Sequence, residues 1–170
     1  AAAFEELLAE ALGEGLIEDA VVARSLRDRE SFWAVREASF EFGRLMPKGA
    51  HFDVSLPLAR LGAAVAALRA RAAARLAGAS VVAFGHLGDG NLHLALYPRD
   101  PEALPLAAPL VYDLVAEFRG SISAEHGIGV LKRPYLGRSR SSAELALMRR
   151  IKAALDPRGI LNPGRILGPG

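Results

Sequence analysis

The chain carries four histidines, and two of them, His86 and His93, flank the dipeptide Asp89-Gly90. Asp-Gly between β-forming runs signals a tight hairpin. Taken as a two-residue loop, it sets Gly88 opposite Asn91, Leu87 opposite Leu92 and His86 opposite His93. Opposed residues share a face, with Cβ atoms about 4.5–5.5 Å apart. Period-two alternation then gathers Phe84, His86, Asn91, His93 and Tyr97 on one side, and sends Val81, Ala83, Leu87, Leu92, Leu94 and Leu96 to the other. Two opposed imidazoles repel if both are protonated. A divalent cation between them removes the conflict, because imidazole ligates in its neutral form. The same pair also fits two histidines that face water or bond locally. Gly85, Gly88 and Gly90 leave open positions around the turn, where a ligand or a second backbone can come close.

A metal needs a further ligand, and Glu125-His126, followed by Gly127 and Gly129, offers one. Adjacent side chains on an ideal strand point to opposite faces, so only one of the two reaches a given ion. Glu125 then completes a His86, His93, Glu125 set, and His126 is left as an acid or base in the same cleft. Two imidazoles and a carboxylate with an open position make a catalytic rather than a closed structural set. Donor softness leaves zinc, manganese, iron and cobalt all open. The bland reading of Glu125-His126 is a surface pair ahead of a loop.

These residues need elements to position them. Residues 4–12 have helical spacing and end at Gly13, and Ser31 is an N-cap candidate for a helix running to about Gly43. His51–Pro57 alternates Phe52, Val54 and Leu56 against His51, Asp53 and Ser55, a half-buried strand. A long alanine- and arginine-rich helix is expected from Leu58 to Ala77, closed by Gly78, and another from Pro105 to Arg119. The stretch from Ser121 reads as a short strand entering a glycine-rich loop, and Ser141–Leu155 as an amphipathic helix. Its exit reads as a turn, a short strand and a tail. Irregular alternation with an antiparallel hairpin points to an α+β fold, helices layered on one sheet face.

Composition excludes several classes. At 170 residues and 51% hydrophobic, the chain is expected to form a single globular domain over 1–170. Lys and Arg number 21 against 19 acidic residues, with only three Tyr and one Trp, so neither a basic face nor a stacking platform for nucleic acid is supplied. No apolar run is long enough for a transmembrane segment, and the acidic residues of the first stretch are not expected in a signal peptide. Absent cysteine removes disulfides and thiolate sites and favours a cytoplasmic setting, with the membrane periphery left open.

GHLGDGNLHL (85–94), SAEHGIGVLK (123–132) and ILNPGRIL (160–167), with WAVRE (33–37) and FDVSLP (52–57), resemble in order the C-terminal domain of FAD-linked oxidases. That family includes glycolate oxidase, D-lactate dehydrogenase and D-2-hydroxyglutarate dehydrogenase. The resemblance implies a ferredoxin-like antiparallel sheet covered by helices, with a helical C-terminal segment. It implies that His86, His93 and Glu125 bind a divalent metal, usually zinc, and that His126 takes the substrate hydroxyl proton while hydride passes from the α-carbon to FAD. It matches Arg36 to an arginine that pairs with the substrate carboxylate, and Asn162 to a position near the flavin.

Three positions depart from the family pattern: Phe40, His51 and Ala95 stand where hydroxyl-bearing, lysine and asparagine partners are common. Their loss favours a smaller or more apolar D-2-hydroxy acid over a dicarboxylate. No glycine-rich phosphate cradle lies near the N-terminus, so FAD is expected to sit mainly on a partner domain or subunit. The isolated chain is then expected to be inactive, and a homodimer is compatible with the reading. Two rivals stay open: a divalent-metal hydrolase using the same residues to activate water, and a non-catalytic binding module of the same fold.

Overall fold

The computed structural model describes residues 2–45, 48–76, 78–86 and 88–168. Leu87, Ala77 and Met46, and the side chain of Phe40, on which sequence expectations were placed, lie outside the described residues. Two compact units, Ala1–Pro47 and Lys48–Gly170, make up the chain.

The first unit holds α1 (Ala2–Gly13), α2 (Leu26–Glu37) and the short α3 (Phe42–Leu45), with a 3₁₀ turn at Ala38–Glu41. α2 begins earlier than the Ser31 expectation. The Ser25 hydroxyl accepts the Asp28 N–H at 3.1 Å, and the Asp28 carboxylate accepts the Arg24 N–H at 3.1 Å. This reciprocal closure satisfies two donors at the helix entrance, which an isolated Ser31 could not do. Ser31 therefore lies inside the helix.

The second unit runs β1 (Ala50–Ser55), α4 (Leu61–Arg75), β2 (Ser80–His86), β3 (Asn91–Tyr97), α5 (Ala107–Glu117) and α6 (Ser142–Leu155). The sheet is antiparallel in the order β1-β3-β2. Beyond β1, Ser55 and Ser121 form one isolated antiparallel bridge, with N–H to O distances of 3.0 and 2.8 Å. The sequence βαββαβ with the last strand beside β1 is the ferredoxin-like pattern, its fourth strand reduced to this bridge. The α+β expectation therefore stands. Chain exit after the bridge frees residues 123–126 to fold across the sheet's outer face.

The core lies on the inner face. Phe52 and Val54 from β1 and Leu92, Leu94 and Leu96 from β3 pack with Ala64, Leu68 and Ala72, a four-residue spacing along α4, and with Leu110, Val111, Leu114 and Val115 of α5. Alanines at positions 64 and 72 let α4 lie close to the strands, while Leu68 fills the gap between them. Ser141 caps α6 by accepting the Glu144 N–H at 3.2 Å while the Glu144 carboxylate accepts the Ser141 N–H at 2.7 Å. The tail after α6 forms turns rather than the expected strand.

The hairpin differs from its sequence expectation by two residues. β2 ends at His86, not Gly88, and the register pairs His86 with Asn91, Gly85 with Leu92 and Phe84 with His93. The loop is thus four residues long. Gly90 explains the difference: its carbonyl accepts the Leu56 N–H at 3.0 Å, and its backbone is left-handed at φ +74. A Cβ there would stand 2.2 Å from the Leu56 carbonyl oxygen. A tertiary bond to the end of β1 overrides the local preference for a two-residue turn. Since side chains alternate with period two, a slip of two leaves each described strand residue on its expected face.

Candidate metal centre

His86 and His93 are diagonal rather than opposed neighbours on the outer face of β2 and β3. Their rings meet edge to face with centroids 5.3 Å apart. Phe84, the true cross-strand partner of His93, lies 5.1 Å from it, ring to ring. Glu125 arrives from the loop after the Ser121 bridge. Its Oε1 stands 3.4 Å from His86 Nδ1 and accepts a hydrogen bond from Asn91 Nδ2 at 2.6 Å. One ligand atom from each of His86, His93 and Glu125 can be chosen so that all lie within 4.8 Å of one another. Two imidazole nitrogens and a carboxylate oxygen at that separation fit a divalent cation with an open coordination position.

The loop that delivers Glu125 is anchored by Asp53. Sequence alternation puts Asp53 on the polar side of β1, where solvent is expected, yet its side chain is only 1% exposed. Its Oδ2 accepts the N–H groups of Ala124, Glu125 and His126 at 3.1, 2.8 and 2.9 Å. Lys132 closes the arrangement, donating to the Asp53 carbonyl and to the Ser123 hydroxyl, each at 3.0 Å, with its ammonium 3.8 Å from Oδ2. Burial by itself raises the Asp53 carboxyl pKa. The His126 and Glu125 N–H groups, with the charges of His126 and Lys132, outweigh that and leave it below its ordinary value. Burial likewise lowers the Lys132 ammonium, against the pull of Asp53.

His126 lies over the same face and not on its far side. Its ring is stacked beside that of His93 with centroids 6.5 Å apart, and its Nδ1 is 3.9 Å from Asp53 Oδ2. The expected opposition of adjacent side chains holds only on a strand, and residues 124–126 form a bend. Glu125 therefore turns toward His86 while His126 turns toward Asp53 above the same sheet. At 67% side-chain exposure His126 is open to an incoming molecule, whereas His93, at 18%, is well enclosed.

Asp53, Glu125 and His126 form a second group with ligand atoms within 4.8 Å. Asp53 Oδ2 is already committed to three N–H donors and faces an ammonium, so this group offers a cation far less than the His86, His93, Glu125 set does. Two of the three glycines of the hairpin also have a definite role. At Gly85 and Gly90 an added Cβ would meet backbone oxygens at 2.1 and 2.2 Å, whereas none lies within 4 Å of Gly88. A neighbouring backbone, not a ligand, requires the first two.

Two expected site residues lie apart in the chain. Arg36 belongs to the first unit, in the last turn of α2, with its guanidinium 5.9 Å over the Trp33 ring. Asn162 has a left-handed φ of 47° in the segment after α6. That segment is joined to the glycine-rich loop by the Ile166 N–H on the Gly129 carbonyl at 2.8 Å, and by Arg133 on the Gly164 carbonyl. Three residues that support the site were not singled out from sequence: Asp53, Asn91 and Lys132. Asn91 was placed on the histidine face, and Lys132 sits within SAEHGIGVLK, so both had a signal. Asp53 had none without knowing that β1 pairs with β3 and sets it opposite His93.

Among the described residues no helix is long and apolar enough to cross a membrane. Residues 1–166 match the family of FAD-linked oxidase C-terminal domains. The chain is 42% identical over 167 residues to a mitochondrial D-2-hydroxyglutarate dehydrogenase of Arabidopsis thaliana, covering 96% of this chain and 29% of that protein. It is 43% identical over 162 residues to the mitochondrial enzyme of that name from Bos taurus, covering 94% of this chain and 29% of the relative. A D-2-hydroxyglutarate dehydrogenase of Stutzerimonas stutzeri is 36% identical over 161 residues, with 90% of this chain and 34% of the relative covered. The chain thus spans about a third of the length of these relatives. By the extent of the family match and by these identities, the chain belongs to the FAD-linked oxidase family, as its C-terminal domain.

Proposed function

We propose that this chain is the substrate- and metal-binding part of an FAD-dependent D-2-hydroxy-acid dehydrogenase. The observation that carries the reading is the gathering of His86, His93 and Glu125 donor atoms within 4.8 Å on one sheet face, with His126 stacked beside His93. His86, His93 and Glu125 would hold a divalent cation, zinc by family resemblance. Such an ion supplies Lewis acidity, lowering the pKa of a bound hydroxyl and offsetting alkoxide charge. FAD, when bound, supplies the hydride acceptor.

This chain's own residues then divide the work. His126 takes the hydroxyl proton as the α-carbon C–H departs as hydride and the C–O bond becomes a carbonyl. Its exposure leaves it open to that proton, and Asp53 faces its Nδ1. Glu125 is fixed by Asn91 and His86. Arg36 is assigned the substrate carboxylate by resemblance, a role suited to a planar guanidinium. Asn162 is assigned to the neighbourhood of the flavin on the same basis.

A small or apolar substrate, of D-lactate or glycolate type, is favoured by the outer face itself. His51 and Ala95 are direct partners across β1 and β3, and His51 packs edge-on against Tyr97 at 5.6 Å. Ala95 offers no polar group there. The relatives' names favour a second reading, in which D-2-hydroxyglutarate is the substrate. The protein with its flavin partner, mixed anaerobically with D-lactate, glycolate or D-2-hydroxyglutarate, separates the two by the rate at which flavin absorbance bleaches. The first reading expects D-lactate or glycolate to give the higher kcat/KM, and His126→Ala to slow bleaching by about 10²–10⁴-fold. Preference for D-2-hydroxyglutarate moves the assignment to the dicarboxylate. Metal-dependent hydrolysis without flavin reduction would hand it to the hydrolase reading. A cytoplasmic location belongs to this proposal and rests on composition alone, whereas several relatives are named as mitochondrial.

A further inference from the structure

Asp53 has two oxygens in very different situations. Oδ2 accepts three backbone N–H groups, while Oδ1 is buried and has no hydrogen-bond partner among the described residues. A carboxylate oxygen hidden from water without a donor is costly, and such groups in folded proteins call for an explanation. The group that faces Oδ1 is His93 Nδ1, 3.8 Å away across the β1–β3 pair. That distance is about 1 Å beyond a hydrogen bond to a charged acceptor, within reach of a small ring displacement.

We propose that Asp53 is a positioning residue that fixes the tautomer of His93. Resting on the metal reading above, the inference is that His93 Nδ1 carries the proton and donates it to Asp53 Oδ1. Nε2 then keeps its lone pair for the cation shared with His86 and Glu125. One carboxylate thereby serves two ligands at once: Oδ2 holds the turn that carries Glu125, and Oδ1 orients His93. A ligating imidazole commonly has such a partner on its second nitrogen, and losing it typically weakens metal affinity about 10–100-fold. Lys132, its ammonium 3.8 Å from Oδ2, balances the buried charge while bonding to the Asp53 carbonyl and to Ser123, leaving Oδ1 to His93.

Asp53→Asn provides the test, because its amide oxygen can still accept the three N–H groups while its NH₂ is turned toward His93. A donor in that place demands an acceptor at Nδ1 and pushes the proton to Nε2, where it blocks ligation. Cobalt titration of the full chain, followed by the visible absorption of the bound ion, is expected to show a 10–100-fold weaker site in Asp53→Asn, with unchanged far-ultraviolet circular dichroism. Cobalt affinity equal to that of the unsubstituted protein would overturn the inference. Should Asp53→Asn fail to fold, ¹⁵N-histidine NMR of the unsubstituted, metal-free protein at alkaline pH decides. A His93 ring protonated at Nδ1 supports the inference, and one protonated at Nε2 overturns it. Absence of a stoichiometric cobalt site in the unsubstituted protein, with His93 still protonated at Nδ1, would instead remove the metal reading and leave the Asp53–His93 pairing in place.

Discussion

Asp53 and Asp156 are the same device used twice with different outcomes. Each is a nearly buried aspartate that collects backbone N–H groups from a later loop and is paired with a lysine. Asp156 accepts the Ile160 N–H on Oδ1 and the Leu161 N–H on Oδ2, each at 3.0 Å, and Lys152 bridges its Oδ2 and the Leu161 carbonyl at 2.5 and 2.6 Å. Both of its oxygens are satisfied, and the result is a closed clasp on the segment leading to Asn162. Asp53 accepts all three of its N–H groups on one oxygen and leaves the other facing a histidine. A fully satisfied clasp does structural work. An aspartate that keeps a buried oxygen in reserve beside a candidate ligand has something further to hold.

Substitutions can widen or collapse that difference. Asp53→Ala removes three charge-assisted bonds and leaves the Lys132 ammonium without its counter-charge, so it is expected to cost about 3–5 kcal/mol, the range for breaking a buried pair from one side. Chemical denaturation measures it, and a loss below about 1 kcal/mol would show that the turn stands without Asp53. Lys132→Met leaves Asp53 its N–H donors and replaces the ammonium with an apolar chain of similar length. About 1–3 kcal/mol is expected, the cost of leaving the buried acceptors that Lys132 serves without their donor. Asp156→Ala should open only its own segment. Amide exchange would rise at Ile160, Leu161 and Ile166 while the β3 amides stay protected, and equal acceleration in β3 would erase the contrast.

The smallest effect is in pH. Lys152 first, then the Ile160 and Leu161 N–H groups, hold the Asp156 carboxyl below its ordinary value of 3.8 despite the opposing effect of burial. A carboxyl with a folded value below its unfolded one binds fewer protons when folded. Its contribution is therefore complete above the ordinary value and is lost as pH falls through the lower one. Amide exchange at Ile160 and Leu161, corrected for intrinsic rates, is expected to lose protection only below about pH 4. Loss beginning near neutrality would point to a different clasp.

How much of this was legible in the sequence follows from which contacts are local. The helix from Ser141 was readable because Ser141 and Glu144 close it within one turn. Alternation along 80–97 sorted the histidine face from the core face, and it survived an error of two in the hairpin register because the period is two. The loop length itself was set by the Gly90–Leu56 bond, which joins the hairpin to the end of β1. Asp53 shows the same limit more sharply. Its alternation with Phe52 and Val54 correctly gave its face, but not that residues 123–126 would cover it. That cover is 71 to 73 residues away in sequence and depends on the fourth strand stopping at one bridge. Glu125 and His126 were found by residue type, and the bend that brings both to one face was not.

His86, His93 and Glu125 are proposed to hold one divalent ion above the sheet. The deciding measurement is the metal content of the purified protein set beside that of His93→Ala. A single tightly held zinc or similar ion per chain is expected, lost on substitution with the cooperative thermal transition retained. A metal-free protein that cannot be loaded, or a His93→Ala variant that keeps its ion, would contradict it.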